Sequence, residues 1–176
     1  MVGLRKGVSY SKKIVVPYTR KSKKKKRAYI KAVPAASIVK FSMGNEQAFS
    51  QGKFPFQLTL VSKENIQIRD SALEACRQFV NKKLDKEISG QYFFRILAHP
   101  HHIQRENKML TGAGADRMST GMQLSFGRAV DRAAIVKNEK PIFFVAVGTK
   151  KAESFVRKLF KQIKPKLPCT TRVINK

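Results

Sequence analysis

Between Phe54 and Ser62 the apolar and polar positions alternate. Phe54, Phe56, Leu58 and Leu60 point one way, Gln57 and Thr59 the other. A period of two predicts a half-buried strand. From Asp70 to about Asp85 the period becomes 3.6: Ala72, Leu73, Cys76, Phe79, Val80 and Leu84 form one apolar stripe, which predicts a helix. Ser71-Ala72-Leu73-Glu74 reads as a capping box, and Lys82 and Lys83 fall in the last turn, where the helix dipole favours cations. Gly90 then breaks the chain and Tyr92–Ala98 reads as a strand. Ala133–Lys137 and Pro141–Val147 read as a strand pair joined by Asn138-Glu139-Lys140, with Pro141 at the first position of the second strand. Lys150–Ile163 predicts a second helix that buries Ala152, Phe155, Val156, Leu159, Phe160 and Ile163. Pro165 and Pro168 end it, and Thr170–Ile174 predicts a last strand. Nearer the start, Ser37–Phe41 predicts a short strand. Met43–Lys53, with Gly44, Asn45 and Gly52, predicts a loop.

This order points to an α+β sandwich over residues 37–176: a mostly antiparallel sheet with two helices on one face. One stretch does not fit either period. From His99 to Gly127 no strand or helix pattern is sustained, although strands flank it. The stretch holds all three histidines and four of the ten glycines. A connection this long is usually functional or disordered, and Met109, Leu110, Met118, Met122, Leu124 and Phe126 argue against disorder. It reads as a functional loop on a rigid scaffold.

Charge narrows what the loop can meet. The chain carries 37 Lys and Arg against 11 Asp and Glu, a net charge of +26 over 176 residues. Such a chain repels itself unless a polyanion neutralises it. The apolar runs are far short of the roughly 20 residues that span a bilayer, and residues 1–36 lack the apolar pattern of a signal or an interfacial helix. No membrane partner is therefore expected, and nucleic acid is the favoured one. Cys76 and Cys169 stand far apart and read as free thiols.

Residues 1–36 form a basic arm: thirteen Lys and Arg precede the first acid, Glu46. The run Lys21-Ser22-Lys23-Lys24-Lys25-Lys26-Arg27 cannot pack on itself and suits phosphate. Tyr10, Tyr18 and Tyr29 are interleaved with it and either stack on unpaired bases or pin the arm to the domain.

Catalytic readings of the loop fail one by one. Gly112-Ala113-Gly114-Ala115-Asp116-Arg117 lacks the third glycine and the leading strand of a dinucleotide site. His99, His101 and His102 have no cysteine near, and only Glu106 and Asp116 as local carboxylates, so no metal and no cofactor is expected. Ser119 or Ser125 with Asp116 has no nucleophile elbow. What remains is Arg105, Lys108, Arg117 and Arg128 for phosphate, Asn107 for a base edge or ribose, and His101 and His102 to stack or donate. Alternatively, Arg105 and Arg117 pair with Glu106 and Asp116 and merely hold the loop together.

The run from Pro100 to Arg117, Pro-His-His-Ile-Gln-Arg-Glu-Asn-Lys-Met-Leu-Thr-Gly-Ala-Gly-Ala-Asp-Arg, closely resembles the central loop of a universal large-subunit ribosomal protein family, L ten e in archaea and eukaryotes and L sixteen in bacteria. Gly121-Met122, Phe126-Gly127, Tyr18-Thr19-Arg20, Tyr29-Ile30, Met43-Gly44-Asn45, Gln67-Ile68-Arg69 and Ala72-Leu73-Glu74-Ala75 extend the likeness, which is closest to the archaeal form. The chain departs from that form at Gln123-Leu124, where basic residues are usual, and at Arg128-Ala129-Val130-Asp131. Ser22–Lys26 looks like an insertion.

The resemblance implies an α/β-hammerhead domain and a structural, non-enzymatic role in translation, in the cytoplasmic large ribosomal subunit. The partners it implies are large-subunit rRNA, A- and P-site tRNA and neighbouring ribosomal proteins, with no homo-oligomer. The arm residues Arg5, Lys6, Lys12, Lys13, Arg20, Lys21, Lys23, Lys24, Lys25, Lys26 and Arg27 would bind rRNA. His101, His102, Arg105, Asn107, Lys108, Met109, Gly112, Gly114 and Arg117 would face tRNA and the peptidyl transferase centre. An RNA-directed enzyme and a free RNA chaperone are the competing classes. The first needs a cofactor site or clustered acids; the second needs no loop of fixed sequence.

Overall fold

The elements run β1 (Ser42–Gly44), α1 (Glu46–Ser50), β2 (Phe56–Ser62), β3 (Ile66–Arg69), α2 (Asp70–Glu87), β4 (Tyr92–Ile96), β5 (His102–Glu106), β6 (Arg128–Val136), β7 (Pro141–Val147), α3 (Lys150–Ile163), a 3-10 turn (Lys164–Lys166) and β8 (Thr171–Asn175). They are taken from a computed structural model that describes residues 16–23, 29–106, 114 and 127–175. The expected α+β, antiparallel architecture is the one adopted. Its strands divide between two sheets: a five-stranded one ordered β1-β4-β7-β2-β8 and a three-stranded one ordered β3-β6-β5.

The long strands owe their place to alternation. Leu58 and Phe94 both lie opposite Val145 on β7, and all three are fully buried on the face that carries α2 and α3. The two helices touch each other and this sheet through Leu73, Cys76, Val80 and Leu84 on one, and Ala152, Val156, Leu159, Phe160 and Ile163 on the other. At about 25 cal/mol per Å² of apolar surface, each such large side chain contributes roughly 1.5–3 kcal/mol. The neighbouring parity, Phe93 opposite Ala146, faces the other way, where α1 lies. There Phe49 stacks on Phe93 at 4.7 Å and meets Phe144 edge-on.

Several local expectations give way. Met43–Lys53 contains α1, because Asn45 caps it by accepting from the Ala48 amide at 2.9 Å and Phe49 docks it on the sheet. Ser37–Phe41 is no strand, since the Ser37 and Ile38 amides donate to the Asp70 carboxylate rather than to a ladder; the strand is Ser42–Gly44. Gly44, at φ +87°, lets that strand end against the Tyr92 carbonyl, where a Cβ would lie 2.4 Å from the oxygen. The Ser71 capping box does not form. Extended Arg69 hands directly into Asp70, and Glu74 instead takes Arg77 at 2.6 and 2.7 Å and Gln78 at 2.9 Å.

Ala133–Lys137 and Pro141–Val147 do not pair. The first belongs to β6, between β3 and β5, and the second to the other sheet. The turn that separates them is stitched to β2 instead, with Glu139 N–H donating to the Ser62 carbonyl and Ser62 N–H to that of Lys140. Finally, the stretch from His99 is not irregular throughout. His102–Glu106 is a strand paired with β6, with a bulge between Gln104 and Arg105, so the connection proper lies between 106 and 128.

Candidate nucleic-acid interface

The root of the loop is β5, the edge strand of the small sheet. Its residues gave no apolar alternation because the face it shares with β3 and β6 is polar and yet buried. Gln67, His102 and Gln104 are 4, 4 and 2% exposed, with the two glutamine amides 3.4 Å apart.

The arm is fastened to this edge. Ile103 N–H donates to the Tyr18 carbonyl and the Tyr18 N–H donates to His102 Nδ1, both at 3.0 Å. Nδ1 therefore accepts, and the neutral ring carries its proton on Nε2. Burial, with positive charge on His101 and Arg105 adding to it, holds the His102 imidazole down at about 4. The Arg105 guanidinium lies 3.7 Å from the centre of the Tyr18 ring, a cation–π contact. Further along, Ile30 N–H donates to the Thr19 carbonyl, Arg132 Nε to the Pro34 carbonyl at 2.8 Å, and Ser37 and Ile38 to Asp70. Tyr18 thus pins the arm, whereas Tyr29 keeps 39% of its surface exposed.

The three histidines do not converge. His99 packs on Phe41 at 4.5 Å, exposed His101 donates from Nδ1 to the His99 carbonyl at 3.0 Å, and His102 turns inward to Tyr18. Among the described residues no three His, Cys, Asp or Glu come together as a metal site, and no helix is long and apolar enough to cross a membrane. Of the arm residues named above, Arg20, Lys21 and Lys23 are exposed and available to phosphate. Arg5, Lys6, Lys12, Lys13, Lys24, Lys25, Lys26 and Arg27 lie outside the described residues, as do Asn107, Lys108, Met109, Gly112 and Arg117 in the loop. Gly114 is exposed at φ +79° with open space around its Cα. Arg105 is half-buried against the Tyr18 ring rather than extended, and His102 is a buried acceptor rather than a surface donor.

Sequence reasoning missed the Asp70 anchor and the Tyr18–His102–Arg105 junction. The only sign of the latter was an aromatic residue in a basic arm, which equally suits base stacking. The exposed face of α3 adds Lys150, Lys151, Lys158 and Lys161, while Arg157 is held by Glu153 at 3.0 Å. Cations are thus exposed on α3 as well as on the arm, where phosphate can be neutralised.

Comparison with known proteins gives the family. A family profile described as Ribosomal protein L16p/L10e matches residues 17–174. The large ribosomal subunit protein uL16 of Methanospirillum hungatei is 40% identical over 158 residues, covering 89% of this chain and 86% of that one. That of Methanococcus maripaludis is 42% identical over 158 residues, covering 89% and 85%. The uL16 of Pyrobaculum arsenaticum is 38% identical over 159 residues, covering 90% and 84%. The match begins at the segment that docks on β5 and runs to the last strand, and the chain belongs to the ribosomal protein L16p/L10e family.

Proposed function

We propose that the protein is a structural constituent of the large subunit of the cytoplasmic ribosome and catalyses no reaction itself. The observation that carries this reading is the family match over residues 17–174 in a chain of net charge +26. Large-subunit rRNA is its main partner, with neighbouring ribosomal proteins beside it. Residues 1–36 act as the rRNA-binding arm, through Arg20, Lys21 and Lys23 and the further cations of the same segment. The loop of residues 99–127 extends toward the peptidyl transferase centre and the A- and P-site tRNA, with His101, Asn107, Lys108, Met109, Gly112, Gly114 and Arg117 on the tRNA-facing side and Arg105, held on Tyr18, at its root. His102 serves that side from behind, holding the strand that leads into it.

Physically, the cations of the arm and the loop neutralise phosphate, and the loop adds hydrogen-bonding groups such as Asn107. It steadies tRNA and supports late subunit assembly, while bond-making is left to RNA. Sedimentation of cell extract tests the assignment: the protein is expected to travel with the large subunit at low salt and to be released only at high salt. A protein that stays at the top of the gradient at both salts sinks the reading. Replacing residues 107–126 by a short Gly-Ser linker is expected to preserve incorporation and slow translation. Full activity of such subunits would reduce the loop to a structural filler.

A further inference from the structure

We infer that Tyr18 is the positioning residue of the loop: it clamps the basic arm to the strand leading into the loop, so that RNA bound along the arm fixes where the loop emerges. The inference deepens the ribosomal reading above and rests on it for its consequence, but the clamp itself is a property of the chain.

Three contacts meet at one residue. Tyr18 lends its carbonyl to the Ile103 amide, extending the edge of β5 by one position. Its amide is held by His102 Nδ1. Its ring lies under the Arg105 guanidinium at 3.7 Å and tilts against the His102 ring at 5.8 Å. Residues 102, 103 and 105 are thereby held from one side by Tyr18, and β6 pairs with them on the other. The bulge between Gln104 and Arg105 falls at this point, where the last ladder residues, Arg105 and Glu106, face Ala129 and Arg128. Two and three positions beyond Tyr18 the arm offers exposed Arg20 and Lys21 to phosphate, so only a short turn separates a phosphate contact from the residue that grips the loop root.

Edge strands without such a partner exchange and fray readily, and side chains at a bulge are aimed by whatever packs on them. Tyr18→Ala keeps both backbone bonds available but removes the ring, which frees Arg105. His102→Leu keeps the buried volume and removes the acceptor, leaving the Tyr18 amide without its partner. Tyr18→Phe preserves the ring and serves as the conservative rescue.

The test has two arms, both on the full-length chain. In the free protein, amide hydrogen exchange at Ile103 is compared with that at Val145 in the central strand. Tyr18→Ala is expected to speed Ile103 about tenfold, with Val145 unchanged and Tyr18→Phe like wild type. Unchanged exchange at Ile103, or equal acceleration of Val145, overturns the clamp.

In large subunits purified from cells expressing the chain, an iron chelate on Thr111→Cys cleaves nearby rRNA. The strongest cleavage is expected to fall about threefold and spread in Tyr18→Ala while incorporation holds. An identical pattern overturns the coupling. Failure of every variant, wild type included, to enter subunits refutes the ribosomal reading instead, and the exchange result then decides the clamp alone.

Discussion

Asp70 offers the sharpest test of how the arm is tied down. It is the first residue of α2, it is fully buried, and its two oxygens accept the Ser37 amide at 2.5 Å and the Ile38 amide at 3.2 Å. Hydrogen bonds to a charged acceptor contribute roughly 1.5–3 kcal/mol each, and a carboxylate in the first helical turn adds about 0.3–1 kcal/mol. Asp70→Ala removes all three and leaves the buried Ile38 amide unpaired, whereas the Ser37 amide is only partly buried and regains water. The expected loss is about 3–4 kcal/mol. Asp70→Asn retains one acceptor oxygen but sets its own NH2 against the second amide, for a loss of about 2–3 kcal/mol. Urea unfolding followed by circular dichroism measures both, with the slope m expected to stay constant because the surface exposed is nearly the same. A loss under about 1 kcal/mol in Asp70→Ala, or an Asn variant as stable as wild type, would refute the argument that these two bonds are buried and charge-assisted.

Other consequences follow from single positions. The His102 imidazole titrates at about 4 when folded against 6.5 in the unfolded chain, so the unfolded chain takes up the proton first as pH falls. His102 therefore costs nothing above pH 6.5 and costs stability between 6.5 and 4, up to about 3 kcal/mol, a slope that His102→Leu should remove from paired urea titrations. Gly44→Ala places a methyl 2.4 Å from the Tyr92 carbonyl at φ +87° and should lose about 2–5 kcal/mol in the same assay. Glu139 sits at φ +60° in an exposed turn, so Glu139→Gly should gain about 0.5 kcal/mol, read as a rise in Tm, after the entropy it adds to the unfolded chain. Burial pushes the Cys76 thiol up to about 12, so a maleimide reagent at pH 8 should label it only after unfolding.

What could be read in the residues was whatever repeats. The alternation of Phe56, Leu58 and Leu60 and the stripe from Leu73 to Leu84 gave strand and helix, because long elements repeat a choice many times. The Lys150–Ile163 helix has the same bounds in the structure, since Thr149 caps it and Pro165 follows it. Short elements hold by single contacts and leave no period: α1 needs Phe49 on Phe93, and β3 needs partners from Ala133 to Val136, far along the chain. β5 was hidden for another reason. Its buried face is Gln67, His102 and Gln104, so polarity that reads as solvent-facing marks the inside. The family was legible in the central loop itself, but the side-chain roles at its root were not. His102 and Arg105 carry surface chemistry in composition and are engaged with Tyr18 in space.

The order of the five-stranded sheet sets a timetable for the newborn chain. β7 stands between β4 and β2, and β8 closes the far side of β2, so β2 has neither neighbour until the chain has passed Val147. At roughly 5–20 residues per second, the interval from Ser62 to Pro141 lasts about 4–16 s. During it, Leu58 and Leu60 and an already complete basic arm are presented together, an apolar strand beside a polycation. Non-local pairing of this kind is slow to form and prone to aggregate. The chain therefore spends its first seconds with an unpaired apolar strand and an unneutralised polycation side by side.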